Sequence, residues 1–411
     1  MRDIAGAVLE KTSAAAKPPL DGVTVIDLGQ IYNGPYATFL MAMAGARVIK
    51  IEPPGGEKMR RRGVVGGAML PFAMLNSNKA FVSLNLKTEQ GLSLLREMVK
   101  RADVLLENFA PGVMDRLGVG PASLMELNPR LIYAAGTGYG SFGPYKDLLA
   151  MDLTIQAMSG VMASTGYPDR PPVKAGPALG DFFGGVHLYG AVVTALYGRE
   201  KTGRGQLVEV SMLESVYPAL SSTLGLYHGL GGQNPPRTGN RHGGLAEAPY
   251  NVYATKDGWV ALLCVSEEHW RALLAGMDRR DLEGDPRFGS LQARVDHIDE
   301  LDEIITGWTS QFTKSEISEI LTKWRIPSAP LREIDEVVND PHMHARGALK
   351  RVRHPELGEV VLPTGAMRFG GAQRPDIEPS KAFAADNGAV YGEWLGLSPA
   401  AIADLEKSGA I

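Results

Sequence analysis

Short apolar runs alternate with helical patterns along the first half of the chain. Five runs rich in β-branched residues predict strands: Gly22–Leu28, Ala46–Glu52, Phe81–Leu86, Asp103–Leu106 and Leu131–Ala135. Between them, residues 35–44 are apolar on most faces. Residues 88–100 place Leu92, Leu95 and Met98 at helical spacing with charges opposite. Strands separated by helices of this length predict βαβ units, and therefore an α/β fold with a mostly parallel, Rossmann-like sheet.

In the second half, the helical patterns give way to a glycine-rich polar segment near residue 231. Residues 181–201 and 212–230 read as helices, and 207–210 as a short strand. A glycine-rich polar segment at 231–244 then has loop composition, and we place a domain boundary near it. The remaining patterns are a hairpin with an Asp-Gly turn over 250–263, a helix opened by a Thr313/Glu316 capping box, strand-like pieces at 349–352 and 359–362, and a helical tail.

Composition excludes several classes of protein. The 411 residues are 44% hydrophobic and 21% charged, which excludes a disordered or fibrous chain and suggests two or three domains. The net charge of −4 shows no basic excess, so we expect no nucleic-acid partner. Cys264 is the single cysteine, so no intramolecular disulfide forms and a cytoplasmic location is expected. No apolar run reaches the roughly 18 residues of a membrane span, and residues 1–18 read as a flexible extension.

Gly138–Gly143 matches the dinucleotide-binding pattern G-x-G-x-x-G after a strand. Pro144 follows at once, and no helix pattern opens there, although the fingerprint requires one. We interpret the segment as a glycine-rich turn. A nicotinamide oxidoreductase is the alternative that this segment leaves open, and NAD binding would test it.

Asp181 stands among glycines, in Gly180-Asp181-Phe182-Phe183-Gly184-Gly185, where a helix begins. One interpretation is an N-cap, because aspartate is favoured there. The other is a carboxylate nucleophile, ionised at pH 7 because a helix N-terminus lowers its pKa, with small neighbours that let a bulky thioester approach. One geometry can serve both roles.

Ordered sequence blocks from residue 19 to about 400 resemble the class III coenzyme A transferases, the CaiB/BaiF family. The blocks include Gly34-Pro35, Asn78-Lys79, Glu107-Asn108-Phe109, Leu179-Gly180-Asp181 and Lys201-Thr202-Gly203-Arg204-Gly205. The resemblance implies a large Rossmann-like domain with a smaller inserted α/β domain, and two chains that interlock as a homodimer. On this basis 19–228 and 340–411 form the large CoA-binding domain, and 229–339 the small one.

The resemblance also implies the chemistry. In the family's transferases one aspartate, matched by Asp181, attacks an acyl-CoA to give a mixed anhydride, which CoA thiolate converts to an aspartyl-CoA thioester. CoA is then part of the substrate, and no permanently bound cofactor or metal is expected. Lys87, Asn108, Phe109 and Arg116 match CoA-contacting positions, and Gly243 and Gly244 are candidate oxyanion donors. Tyr32 and Pro53 replace a glutamine and an arginine of the formyl-CoA-specific members, so formate or oxalate is not assumed as substrate.

The family also contains racemases, which use a histidine and an aspartate as paired bases. Here Met151 occupies the histidine position, and a thioether cannot remove a proton from carbon. Asp152 matches an acidic residue present in both groups. We therefore expect an acyl-CoA:carboxylate CoA-transferase with an acyl-CoA and a carboxylic acid as substrates, Asp181 as nucleophile, and Tyr32 and Met151 bordering the acyl pocket. A racemase-like epimerase or an acyl-CoA hydrolase is the alternative.

Overall fold

The computed structural model describes residues 16–61, 69–372 and 374–411. These residues form two compact units. The first extends to Ile155 and includes Ala178–Val216 and Asp340–Ile411, and the second contains Gln156–Pro177 and Tyr217–Asn339. The change of unit at 340 coincides with the predicted boundary. The other change falls at 217 rather than 229, and 156–177 belongs to the second unit. Residues 1–15 of the predicted extension lie outside the described residues.

A six-stranded parallel sheet forms the centre of the first unit. Its strands are β1 (Thr24–Asp27), β2 (Arg47–Glu52), β3 (Lys79–Ser83), β4 (Val104–Glu107), β5 (Ile132–Thr137) and β6 (Leu207–Ser211). The order across the sheet is β3-β2-β1-β4-β5-β6, and all five pairs are parallel. This is the strand order of a doubly wound Rossmann sheet, which confirms the predicted fold class.

The sequence patterns predict some of the helices in the two units, but not all of them. They are α1 (Asn33–Met43), α2 (Lys58–Arg61), α3 (Met69–Asn76), α4 (Glu89–Val99), α5 (Val113–Arg116), α6 (Pro121–Leu127), α7 (Asp152–Met158), α8 (Val161–Ser164), α9 (Leu179–Thr202), α10 (Met212–Val216), α11 (Ser221–Gly229), α12 (Glu267–Gly276), α13 (Leu291–Asp296), α14 (Ile298–Thr309), α15 (Lys314–Lys323), α16 (Ile334–Val338), α17 (Pro341–Ala345) and α18 (Pro399–Lys407). The single helix predicted over 212–230 is wrong. A 3₁₀ turn at Tyr217–Leu220 divides it, because Pro218 cannot donate the hydrogen bond that a continuous helix needs.

Side chains of the strands are buried on both faces of the sheet. Val25, Val48 and Val104 pack against α1 and α9 on one face. Ile26 and Leu105 pack against α4 on the other. Two covered faces explain why these strands read as nearly continuous apolar runs.

The second unit contains a three-stranded antiparallel sheet in the order β7-β8-β9. Its strands are β7 (Tyr250–Thr255), β8 (Gly258–Leu263) and β9 (Ser328–Pro330). The β7–β8 hairpin turns at Asp257 as predicted, and the Thr313/Glu316 capping box opens α15. In the first unit, β10 (Leu349–His354) and β11 (Gly358–Pro363) pair as an antiparallel hairpin where strand-like pieces were predicted.

Helix α9 is long and apolar enough to span a membrane by length and composition alone. Inside the first unit, Leu188, Val192 and Leu196 of this helix are buried against the sheet, whereas Val186 and Tyr197 are exposed. The same helix also carries the carboxylate that the sequence singles out.

Candidate active site

Asp181 lies in the first turn of α9, two residues after the helix begins at Leu179. Ala178 occupies the N-cap position, and no side chain caps this helix. The interpretation of Asp181 as the N-cap is therefore wrong. Its side chain is almost buried, with 8% of the residue exposed. A carboxylate in this position has lost most of its water without gaining the capping hydrogen bonds.

The pKa of Asp181 is raised from an ordinary 3.8 to about 7. Burial is the largest cause, the negative charge of Asp152 adds to it, and a hydrogen bond from the backbone of Asn33 acts in the opposite direction. The predicted lowering by the helix N-terminus is therefore wrong. Loss of hydration and a neighbouring carboxylate outweigh the helix dipole here.

Asp152 begins α7 and is tied to the turn that carries Asp181. Its Oδ1 accepts the Gly180 backbone N–H at 2.8 Å. This contact holds a second carboxylate near the first, and its negative charge acts on Asp181. Met151, one residue earlier, is 56% exposed, and its backbone N–H donates to the Thr154 hydroxyl at 2.9 Å.

The glycines around Asp181 make room for the protein's own atoms. A Cβ at Gly180 would lie 2.9 Å from the Ile155 side chain, and one at Gly184 would lie 2.2 Å from Asn33 Nδ2. A Cβ at Gly185 would lie 2.8 Å from the Asn33 carbonyl oxygen. The expectation that these small residues open a path for a thioester is therefore wrong at all three positions. They let α1 and α7 approach the start of α9.

Asn33, which sequence reasoning missed, is the closest polar neighbour of Asp181 on α1. It is 2% exposed, and its Nδ2 donates to the backbone oxygen of Asp181 at 3.4 Å. Its Oδ1 is buried without a hydrogen-bond partner among the described residues. The available signal was an asparagine directly before Gly34-Pro35 at the start of an apolar helix.

Tyr32 lies beside the nucleophile candidate through its neighbour in sequence, Phe182. The Tyr32 and Phe182 rings stack with centroids 6.0 Å apart, and Tyr36 meets Phe182 edge-on at 4.8 Å. The predicted border of the acyl pocket at Tyr32 therefore coincides with an aromatic cluster next to Asp181. The residue before it, Ile31, has a left-handed backbone with φ of 64°.

A cleft of about 520 Å³ opens at the carboxyl ends of β1, β2, β3 and β4. This is the edge at which open α/β sheets bind their ligands. Lys87 and Phe109, both predicted CoA contacts, line it together with Gln30, Pro53 and Arg61. The cleft has the size of a small-molecule site.

A second cavity of about 460 Å³ adjoins the first, since Phe109 and Val113 line both. Arg116, the third predicted CoA contact, lines this second cavity. Glu107 lies there too, and burial raises its pKa to about 7. Sequence reasoning missed Glu107, because a glutamate at the end of an apolar strand carries no signal of its burial.

Asn108 follows β4 directly and contacts the loop between β1 and α1, while its role as a CoA contact stays a prediction. Its Oδ1 accepts the Gln30 backbone N–H at 2.7 Å, and its Nδ2 donates to the Gln30 carbonyl at 2.9 Å. Both ends of the amide are thus engaged in holding the β1–α1 loop. Asn108 shapes the cleft through Gln30, and its oxygen and NH2 group can each make one further hydrogen bond.

Gly243 and Gly244 belong to the second unit. The Gly244 backbone N–H donates to His242 Nδ1 at 3.1 Å, and the Ala246 N–H donates to the same atom at 3.3 Å. The Gly244 amide is therefore occupied within its own loop. A role for Gly243 as an oxyanion donor stays a prediction.

Comparison with known proteins identifies the family. The profile described as CoA-transferase family III matches residues 20–381. The chain belongs to CoA-transferase family III. It is 37% identical to the acetyl-CoA:oxalate CoA-transferase of Acetobacter aceti, over 93% of this chain and 97% of that protein. It is 34% identical to the succinyl-CoA–D-citramalate CoA-transferase of Chloroflexus aurantiacus, over 96% and 98%.

The family's fold is shared in three dimensions as well. A solved CaiB/BaiF family protein from Brucella suis superimposes with a TM-score of 0.81 and 32% identity, covering 92% of this chain and all of that one. The resemblance drawn from the sequence blocks is confirmed, and with it an enzyme of the CoA-transferase class. The G-x-G-x-x-G segment at 138–143 forms bends and opens no helix, which agrees with the expectation that it is not a dinucleotide-binding fingerprint.

Proposed function

We propose that this enzyme is an acyl-CoA:carboxylate CoA-transferase in which Asp181 is the nucleophile. The observation that carries the proposal is the placement of this family III chain's Asp181. It is an almost buried carboxylate at the start of α9, with its turn held by Asp152 and its backbone contacted by Asn33. Both curated relatives are named for moving CoA from an acyl donor to a carboxylic acid.

The proposed reaction balances as two exchanges. Asp181 Oδ attacks the thioester carbonyl, the C–S bond breaks, and an aspartyl–acyl anhydride and CoA thiolate form. The thiolate then attacks the aspartyl carbonyl, releasing the donor's carboxylate and leaving an aspartyl-CoA thioester. An acceptor carboxylate repeats both steps in reverse and leaves as its CoA thioester. Each step is easier than direct transfer between two free substrates.

The environment of Asp181 suits this role. A carboxylate stripped of water is a stronger nucleophile than a hydrated one, and its raised pKa reflects that loss of hydration. The Asn33 backbone lowers the pKa of Asp181 as a hydrogen-bond donor, so we infer that it stabilises the oxyanion that forms on the aspartyl carbonyl when CoA thiolate attacks it. We propose that Asp152 orients the nucleophile's turn and keeps other anions away.

The pH dependence of the chemical step is the first prediction. We expect the rate constant of covalent CoA attachment to rise with pH around an apparent pKa near 7, because only ionised Asp181 attacks. Asp152→Asn keeps an oxygen for Gly180 and removes the charge, so the apparent pKa should fall. Single-turnover measurements from pH 5 to 9 test this. An unchanged profile in Asp152→Asn would contradict the assigned electrostatics.

CoA binding gives the second prediction. Lys87 is exposed and lines the cleft, so it is placed to meet a phosphate of CoA. We expect Lys87→Met to raise KM for the acyl-CoA by about 10- to 100-fold with little change in kcat, the effect of one lost charge-assisted hydrogen bond. Lys100→Met, at the C-cap of α4 and outside both cavities, is the matched control. Equal effects of the two variants would remove Lys87 from the CoA site.

We also propose that two chains assemble as a homodimer. The segment before α7 exposes large apolar side chains, with Phe142 at 78%, Leu149 at 86% and Met151 at 56%. A run of this kind is typical of an association surface.

The lone cysteine, Cys264, is buried, and its pKa is raised to about 12, which supports an unreactive thiol. An unreactive thiol is compatible with the cytoplasmic setting that we propose.

The test of the function is a transfer assay with acetyl-, formyl- and succinyl-CoA as donors, and oxalate, citramalate and monocarboxylic acids as acceptors. We expect formation of the acceptor's thioester, with the parallel double-reciprocal lines of a ping-pong mechanism. Release of free CoA without transfer would identify a hydrolase instead. Exchange of an α-proton with deuterated water, without transfer, would identify an epimerase.

A further inference from the structure

The loop from Gly29 to Asn33 joins the two parts of the site. Gln30 lines the larger cleft. At the loop's other end, Asn33 Nδ2 donates to the backbone oxygen of Asp181 at 3.4 Å, and the Asn33 backbone lowers the pKa of the Asp181 carboxyl group. The position of this loop therefore sets both one side of the cleft and the residue that contacts the turn carrying Asp181.

The loop has a conformation that its own sequence does not favour. Ile31 has φ of 64°, in the left-handed region that β-branched residues avoid. Such a backbone persists only where the surrounding structure holds it from several sides. Asn108 holds the loop at Gln30, through the two hydrogen bonds described above.

A buried ion pair, Asp27 and Lys79, contacts the backbone on both sides of the loop, at Gly29 and at Pro35. The Lys79 ammonium group lies 2.9 Å from Asp27 Oδ2 and also donates to the Pro35 carbonyl at 3.1 Å. Asp27 Oδ1 accepts the Gly29 N–H at 2.8 Å. The Thr38 hydroxyl bridges the pair, donating to Asp27 at 2.7 Å and accepting from Lys79 at 2.8 Å. The ion pair thus hydrogen bonds to the start of the loop at Gly29 and to the first turn of α1 at Pro35.

A second buried pair supports the same loop from β2. Lys50 lies 3.1 Å from Glu57 and donates to the carbonyl oxygen of Gly29. Lys50, Glu57, Asp27 and Lys79 are all at most 3% exposed. Burying two charges costs hydration free energy, and the attraction between them often does not offset that cost. The presence of these pairs is therefore weak evidence for a role in stability. Here both pairs end on the backbone of one loop.

We propose that Asp27 and Lys79 are positioning residues for the transfer reaction: they hold the Gly29–Asn33 loop in its strained conformation, so that Asn33 stays in contact with the turn that carries Asp181. This inference rests on the proposed role of Asp181 as nucleophile. It assigns a function to Asp27 at the end of β1 and Lys79 at the start of β3, which act through the loop and not on the reacting atoms.

The pair's effect should be visible in the chemical step and in its pH dependence. The charge that acts on Asp181 is that of Asp152 on α7, and the Asn33 backbone on α1 is the neighbour that lowers its pKa. A loosened loop removes the second influence. We therefore expect Thr38→Val, which keeps both charges, to slow covalent CoA attachment about tenfold and to move its apparent pKa upward. For Lys79→Met we expect a loss on the order of 10²-fold, the cost of misplacing a catalytic group by about 1 Å.

The experiment measures single-turnover attachment of CoA to the full-length enzyme, CoA affinity and thermal stability. The control for destabilisation is Leu95→Ala, which removes a buried side chain of α4 from the core cluster on the other face of the sheet. The double variant Asp27→Asn/Lys79→Met restores neutrality. We expect it to recover thermal stability relative to Lys79→Met but not the rate, because the bond to Pro35 stays absent. If Lys79→Met does not fold, Thr38→Val alone tests the inference.

Recovery of the rate together with stability in the double variant would overturn the inference, as would a Thr38→Val profile identical to that of the unaltered enzyme. An effect confined to CoA affinity would also overturn it. If the unaltered enzyme forms no CoA adduct at all, the proposed function fails first. If it forms the adduct and the variants match Leu95→Ala, only the positioning role fails.

Discussion

Replacing Asp181 by alanine will reduce CoA transfer by about 10⁴-fold or more, while the enzyme still folds and binds CoA. The reason is that the covalent route has no substitute for its nucleophile, and loss of such a group removes most of the catalytic advantage. CoA affinity should change little, because Lys87, Phe109 and Arg116 line cavities that do not include Asp181. Steady-state transfer assays and calorimetric titration with CoA measure the two quantities.

The matched control is Asp404→Ala, at an exposed aspartate on α18 whose partner is Lys407. It should retain full activity. Transfer by Asp181→Ala within tenfold of the unaltered enzyme would contradict the covalent mechanism. A general-base role for Asp181 would instead leave slow residual transfer without any covalent intermediate.

Replacing Asp181 by asparagine will stabilise the folded enzyme at alkaline pH. In the unfolded chain this carboxyl group ionises near pH 3.8, but in the folded enzyme only near pH 7. Between these values the folded state binds more protons than the unfolded state, so stability falls as pH rises, and the penalty is complete above pH 7. Asparagine has no such penalty. We expect a gain on the order of 4 kcal/mol at pH 8 and half of that or less at pH 5.

Urea unfolding of the two proteins at pH 5 and pH 8 measures this difference. The dependence on pH is the informative quantity, since a packing effect of asparagine would be equal at both values. Asp404→Asn, exposed and on the surface of α18, should show no such dependence. A gain at pH 8 no larger than at pH 5 would mean that Asp181 is hydrated and ordinary in the folded enzyme.

The sheet of the first unit was predictable because its strands are buried on both faces. Gly22–Leu28 and Ala46–Glu52 are rich in β-branched apolar residues, and each contains an observed strand, β1 or β2. The β7–β8 hairpin and the Thr313 cap were also predictable, since their turn and capping chemistry is local. Asp181 itself was found from its glycine-rich surroundings and from the family resemblance.

What the sequence did not reveal depends on contacts between distant segments. The raised pKa of Asp181 requires Asp152, 29 positions earlier, and the burial that α1 and α7 create. The glycines beside it read as openings, but Asn33 and Ile155 fill them. No local pattern shows that Lys79 on β3 is buried against Asp27 on β1, because β2 lies between these two strands in the sheet.

Intact-protein mass spectrometry of the enzyme incubated with an acyl-CoA donor tests the central claim most directly. The proposed mechanism predicts a species heavier by CoA less one water, lost on treatment with hydroxylamine and mapped to the peptide that contains Asp181. It also predicts that an acceptor carboxylate discharges the species and that Asp181→Asn never forms it. Transfer that proceeds with no covalent CoA species, or a species mapped to another residue, would contradict the assignment of Asp181 as nucleophile.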